Sequence, residues 1–182
     1  GPTIQLWDLT SKQVINTLDI TADETNVPKS GNEAEGCVFD DENKHLLISR
    51  EGERGYLKAF KSDTLEMIKV VDSRDGNITG DPEGVAIYAT SENDGYIILS
   101  SQGGNEFNLY DRQNLTFIEK FKINGVEDTD GLDVTNNQVK GIFPNGFLVV
   151  QDGRNLPSNQ NFKIISMEEV LKKKLSHHGS TH

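Results

Sequence analysis

With 182 residues, 34% hydrophobic and 26% charged, the chain has the composition of one folded domain, which argues against disorder. A formal net charge of −11 and a pI near 4.8 argue against a nucleic-acid partner, which would call for clustered Lys and Arg, and suit divalent cations or cationic partners better. No run approaches the roughly 18 apolar residues of a membrane span, so no membrane partner is expected, and the single cysteine, Cys37, excludes an intramolecular disulfide and reads as a small core residue.

Gly1-Pro2 reads as the scar of a protease cleavage, which leaves room for an export signal trimmed from the chain. Ile4-Gln5-Leu6-Trp7-Asp8-Leu9 and Val14 to Ile20 form two short apolar runs, and Thr21 to Glu33, rich in Asp, Asn, Pro and Gly, is a connection without periodicity. Glu35-Gly36 then opens a unit of four runs: Gly36 to Phe39, His45 to Ser49, Tyr56 to Phe60 and Leu65 to Val71. Glu83-Gly84 opens a second, through Val85 to Tyr88, Gly95 to Ser101, Phe107 to Asp111 and Thr116 to Ile123. Asp130-Gly131 opens a third, through Leu132 to Val134, Gly146 to Gln151 and Phe162 to Ser166.

Glu35 to Glu83 is 48 residues and Glu83 to Asp130 is 47, so the chain is an internal repeat. Four short strands per unit predict an all-β fold, a β-propeller of four-stranded antiparallel blades, with inner strands beginning near Glu35, Glu83 and Asp130. The first two runs match the third and fourth of a unit, so residues 3–20 are the outer strands of a blade, and residues 35–71, 83–123 and 130–166 are successive blades. Met167 to Leu175 has helical spacing with acids early and lysines late, and a short helix takes the place of the last outer strand. His177 to His182 is too terminal for its histidines to serve as ligands.

About three blades are half of a six-bladed ring, and an open stack exposes apolar blade faces at both ends. A missing N-terminal half or a homodimer is therefore expected to complete it.

Three acid-Gly pairs in register also place carboxylates at equivalent points of successive blades, which converge on the propeller axis. For any single pair, a solvated turn is an equally good reading. With Glu51 and Asp81 added, a ring of oxygen ligands for a hard cation such as Ca2+ is the better one. Asp152 and Asn155 suit a structural ion or a turn equally well.

Glu35-Gly36-Cys37-Val38, Glu83-Gly84, Ser100-Ser101-Gln102-Gly103, Tyr110-x-Arg112-Gln113, Asp128 to Val134, Val150 to Gly153 and Gln160-Asn161-Phe162-Lys163 together resemble, in order, the motifs of the β-propeller phytases, alkaline calcium-dependent 3-phytases with six blades. The match is to the C-terminal half of that pattern. The resemblance implies a secreted or periplasmic bacterial phosphomonoesterase acting on phytate or other inositol phosphates, with calcium at the channel mouth. Glu35, Glu51, Asp81 and Glu83 would hold the metal, Asp130 would join them, and Glu35, Asp81 and Glu83 would carry catalysis. Arg50 stands where family members often carry an acid, which removes a ligand or supplies a phosphate-binding cation. The lysines, arginines and tyrosine that clamp substrate phosphates in the family's N-terminal half have no counterpart here. That leaves a second reading, a non-catalytic calcium-binding module for binding or assembly. A propeller lactonase with a single channel metal fits the motif series less well.

Overall fold

The polar turns that punctuate the sequence become hairpin turns, and each apolar run between them becomes a strand. The structure, a computed structural model, describes residues 2–28 and 30–177, with side chains as far as residue 172. The histidines of residues 178–182 lie outside the described residues. Strands β1 (Thr3–Asp8) and β2 (Gln13–Asp19) form a two-stranded sheet. A four-stranded antiparallel meander follows, from β3 (Ala34–Asp40) through β4 (His45–Arg50) and β5 (Tyr56–Lys61) to β6 (Met67–Ser73). The next sheet runs from β7 (Asp81–Ala89) through β8 (Gly95–Gln102) and β9 (Glu106–Asp111) to β10 (Phe117–Phe121). The last has three strands, β11 (Leu132–Thr135), β12 (Phe147–Asp152) and β13 (Asn161–Ser166), and leads into helix α1 (Met167–His177), which packs on β12 and β13 where a fourth strand would lie.

Side-chain alternation along the second strand of each sheet explains why those runs read as continuously apolar. On β4, Leu46 and Ile48 face a cluster with Ile20 and Phe60, whereas Leu47 faces the opposite cluster with Leu57, Val85 and Leu99. On β8, Ile97 and Leu99 join that second cluster, and Ile98 turns to a third with Phe107, Leu148 and Met167. Both faces of β4 and β8 are therefore buried between sheets, and each fully buried Leu or Ile contributes on the order of 1.5–3 kcal/mol. The outer surfaces are wetter: Trp7 and Ile15 in the first sheet and Phe162 and Ile164 on β13 are exposed.

Three hairpins share one turn. Asp8 Oδ1 accepts from the Thr10 and Ser11 amides, and Asp111 Oδ1 accepts from the Gln113 and Asn114 amides. The residue that closes each turn, Lys12, Leu65 or Leu115, has φ between +55° and +60°. A buried leucine in that left-handed region costs about 1–2 kcal/mol, offset at Leu65 and Leu115 by their place in the apolar clusters.

Candidate active site

The innermost strands β3 and β7 each carry an acid-Gly pair, Asp130-Gly131 leads directly into β11, and β7 lies between β3 and β11. Their approach is so close that only glycine fits. A Cβ on Gly36 would meet Glu83 O at 2.6 Å and Val85 N at 3.0 Å, and one on Gly84 would meet Asp130 O and Leu132 N at 2.8 Å each. The glycine requirement is thus interstrand clearance, not turn geometry, since neither residue has positive φ. At the equivalent place in the third unit, a Cβ on Gly131 would meet nothing within 4 Å.

Hydrogen bonds fix the register between sheets. Gly84 N donates to Asp130 O at 2.7 Å. Ser49 Oγ donates to Glu83 O, and Ser100 Oγ donates to Thr129 O at 2.6 Å. Each serine stands at or next to the end of a second run and reaches a carbonyl of the next unit's acid or of the residue before it. The three acid-Gly pairs, with Cys37, Val85 and Leu132, consequently line one open cavity of about 350 Å³.

Charge is concentrated there, and its most buried member lacks a compensating cation. Glu83 is only 5% exposed, and among the described residues no cation pairs with it. Burial first, then the charges of Glu35, Glu51, Asp130 and Asp81, push its carboxyl up to about 7. Glu51 is also raised, by burial, by Glu35 and by a hydrogen bond with Glu33. Glu33 itself is lowered, chiefly because the Asn32 amide donates to its Oε2 at 2.7 Å. Asp130 accepts from Gln102 Nε2, and its own amide donates to Gln151 Oε1 at 2.8 Å. Asp81 is paired with Arg74.

Five of the sequence-predicted ligands therefore act electrostatically as one group. Among the described residues, no three Asp, Glu, His or Cys side chains close into a metal cage as they stand. Three of the donors, Glu35, Glu83 and Asp130, line one cavity, all five are oxygen, and the most buried has no counter-cation, a set that fits a hard, flexibly coordinated cation such as calcium.

Other predicted residues lie apart from this group. The Arg50 guanidinium is fully buried, donating to Glu24 Oε1 at 2.6 Å and to Asn32 Oδ1 and lying over the Tyr56 ring, so it faces protein and not a phosphate. Asp152 Oδ1 accepts from the Glu127 and Asn155 amides, and its Oδ2 lies 3.2 Å from Lys163 Nζ. Asn155 Oδ1 accepts from the same lysine. Asp152 thus has an internal cation. Cys37 is exposed, contrary to its reading as a core residue, because strand alternation puts it on the open face of β3 with Glu35 and Phe39.

Sequence reasoning missed the anchors in Tyr110-x-Arg112. Tyr110 Oη donates to Asp72 Oδ2 at 2.9 Å, and Arg112 forks onto Asp40, so both tie the β7–β10 sheet to the β3–β6 sheet. Ser49 and Arg74 were also missed, and Ser100, though part of a quoted motif, was not read as a link between sheets. The recurrence of serine at the end of the second run was the available signal for the two serines.

The Phytase family's sequence model matches residues 19–180. The chain belongs to the phytase family. It is 36% identical over 154 residues to a 3-phytase of Bacillus subtilis (strain 168), covering 78% of this chain and 40% of that protein. The chain therefore spans less than half the length of this curated relative. Among solved structures it resembles the WD40 repeats of RRP9, with a TM-score of 0.60 at 10% identity, covering 91% of this chain and 45% of the other. A nidogen/laminin complex gives a TM-score of 0.55 at 15% identity, covering 76% and 46%. These likenesses show the fold alone: a phytase-family chain built as about three blades of a β-propeller.

Proposed function

We propose that this phytase-family chain supplies the calcium-binding part of a phytase that releases phosphate from inositol polyphosphates. The observation that carries the reading is the cavity shared by Glu35, Glu83 and Asp130, one acid from each of three successive blades, with Glu83 buried and lacking a cation. Glu35, Glu51, Asp81, Glu83 and Asp130 would hold the metal. These residues would thereby hold a charge that neutralises substrate phosphates and acidifies a water for attack on phosphorus. The chain's own residues do the rest. Glycine at 36 and 84 lets the inner strands close up, the serine hydroxyls lock their register, and Glu83 places a buried carboxyl without a partner cation among the residues that line the cavity. The substrate is polyanionic and this chain is acidic, so their approach requires the intervening cation. A complete ring, formed with further blades or a second copy, would supply the remaining substrate contacts.

A second reading, a calcium-dependent binding module without catalysis, is favoured by one observation: among the described residues, no lysine or arginine lines the cavity. Phosphate release from calcium phytate by the complete ring separates the two. The phytase reading expects release that stops on chelation and returns with calcium, whereas calcium binding without release favours the module.

A further inference from the structure

The connection between β6 and β7 carries one arginine, and its guanidinium grips both sides of a junction between sheets. Arg74 Nε donates to Gly52 O at 2.7 Å, Nη2 donates to Asp81 Oδ1, and the Arg74 amide donates to Gly55 O at 3.0 Å. Gly52 N donates to the same Asp81 Oδ1 at 3.1 Å. Asp81 Oδ1 thus receives two donors, while its Oδ2 receives none of the described hydrogen bonds. Gly52 directly follows Glu51, so one side chain registers an acid just past the end of β4 against an acid at the start of β7.

The turn it holds has little freedom elsewhere. Gly52 has φ +92°, with Gly31 against the position of its missing Cβ, and a Cβ on Gly55 would meet Pro82 Cδ at 2.7 Å. The Arg74 and Asp81 side chains are 30% and 38% exposed, so the pair lies at the solvent-accessible edge of the junction and not in the core.

The geometry points to Arg74 as a positioning residue for calcium: it fixes the Asp81 carboxylate by one oxygen, leaves the other for the metal, and sets Glu51 against Asp81 across the junction. A ligating carboxylate is commonly oriented in this way by an outer partner, whose loss lowers metal affinity 10–100-fold. The fork geometry of arginine suits it to hold a carbonyl and a carboxylate at once, as the point charge of lysine does not.

Electrostatics alone predicts the opposite sign. A cation beside a cation site repels the metal, so removing it should strengthen binding. The sign of the change therefore decides between the roles.

The inference rests on the calcium reading of the proposed function, and the experiment keeps the two apart. Calcium chloride is titrated calorimetrically into the full chain and into Arg74→Gln, Arg74→Lys, Asp81→Asn and Arg74→Gln/Asp81→Asn, with melting in chelator as the fold control. The expected result is calcium binding at least tenfold weaker in both Arg74 variants, unchanged melting in chelator, and no further loss when Arg74→Gln is added to Asp81→Asn. Equal or tighter binding by Arg74→Gln, or full retention by Arg74→Lys, overturns the positioning role and leaves the calcium reading standing. Unfolding of both Arg74 variants in chelator likewise overturns it in favour of a structural role. A parent chain that binds no calcium overturns both.

Discussion

Asp40 and Arg112 meet as a buried two-pronged ion pair between adjacent sheets, with Arg112 Nε donating to Asp40 Oδ2 at 2.7 Å and Nη2 to Oδ1 at 2.6 Å. The same guanidinium reaches the Ser91 and Asp94 carbonyls through Nη1, and Asn43 donates twice to the carboxylate. Every oxygen of Asp40 is satisfied, which is the condition under which a buried pair is tolerated. Removing one partner leaves a buried charge alone. Arg112→Ala should therefore cost about 3–5 kcal/mol in urea unfolding, whereas a loss below 1 kcal/mol would make the pair incidental.

The same pair gives an acid limb to stability. Burial alone would raise the Asp40 carboxyl, but the hydrogen bonds from Arg112 and Asn43 outweigh it and hold the group below its ordinary value. A lowered folded-state value means stability that is present above the unfolded value of 3.8 and lost as pH falls through the folded one. Unfolding curves from pH 5 to pH 2 should show this loss in the parent and not in Asp40→Asn.

Glu83 has the opposite sign. Its carboxyl is raised from 4.5 to about 7, so its contribution to metal-free stability is fully present below pH 4.5 and is lost as pH rises through 7. The loss is at most about 3 kcal/mol. In chelator at pH 8, Glu83→Gln should melt higher than the parent, and at pH 4 the two should melt together. A parent as stable as Glu83→Gln at pH 8 would mean that the cavity carries no strain.

Calcium should remove that strain. Added after chelation, it should raise the melting temperature with concentration as ln(1 + [L]/Kd), and magnesium, which demands a rigid octahedral site with retained waters, should substitute poorly. Identical melting curves with and without calcium would leave the five carboxylates as surface charge.

Gly84→Ala probes how the acids are gathered. The added methyl would meet backbone at Asp130 O and Leu132 N, at 2.8 Å each, and backbone cannot swing aside as a side chain does. The expected cost is about 1–3 kcal/mol with a weakened calcium response. At Gly131, where a methyl meets nothing within 4 Å, alanine should be nearly neutral in this chain.

The repeat, the four-strand units and the terminal helix were legible because they rest on local pattern: spacings of 48 and 47 residues, polar turns, and the switch to helical spacing at Met167. The acids Glu35, Glu83 and Asp130 could be named because repetition carries equivalent positions to the axis. Contacts between sheets were not legible. Nothing near Arg50 in sequence announces Glu24 and Asn32 as its partners, nothing near Arg112 announces Asp40, and Arg74 reaches Asp81 only once the turn at Gly52 has closed. Cys37 was misjudged for a related reason: apolar neighbours imply burial, but its strand is innermost and one face of it opens onto the cavity.

The central claim, that Glu83 and its neighbours hold the metal that drives phosphate release, is tested most directly by initial rates on calcium phytate for the complete ring, parent against Glu83→Gln, with circular dichroism confirming an intact fold. The account predicts calcium-dependent release by the parent at neutral to alkaline pH and a loss of orders of magnitude in the variant. Equal rates for the two would contradict it and leave the carboxylate cavity without a catalytic role.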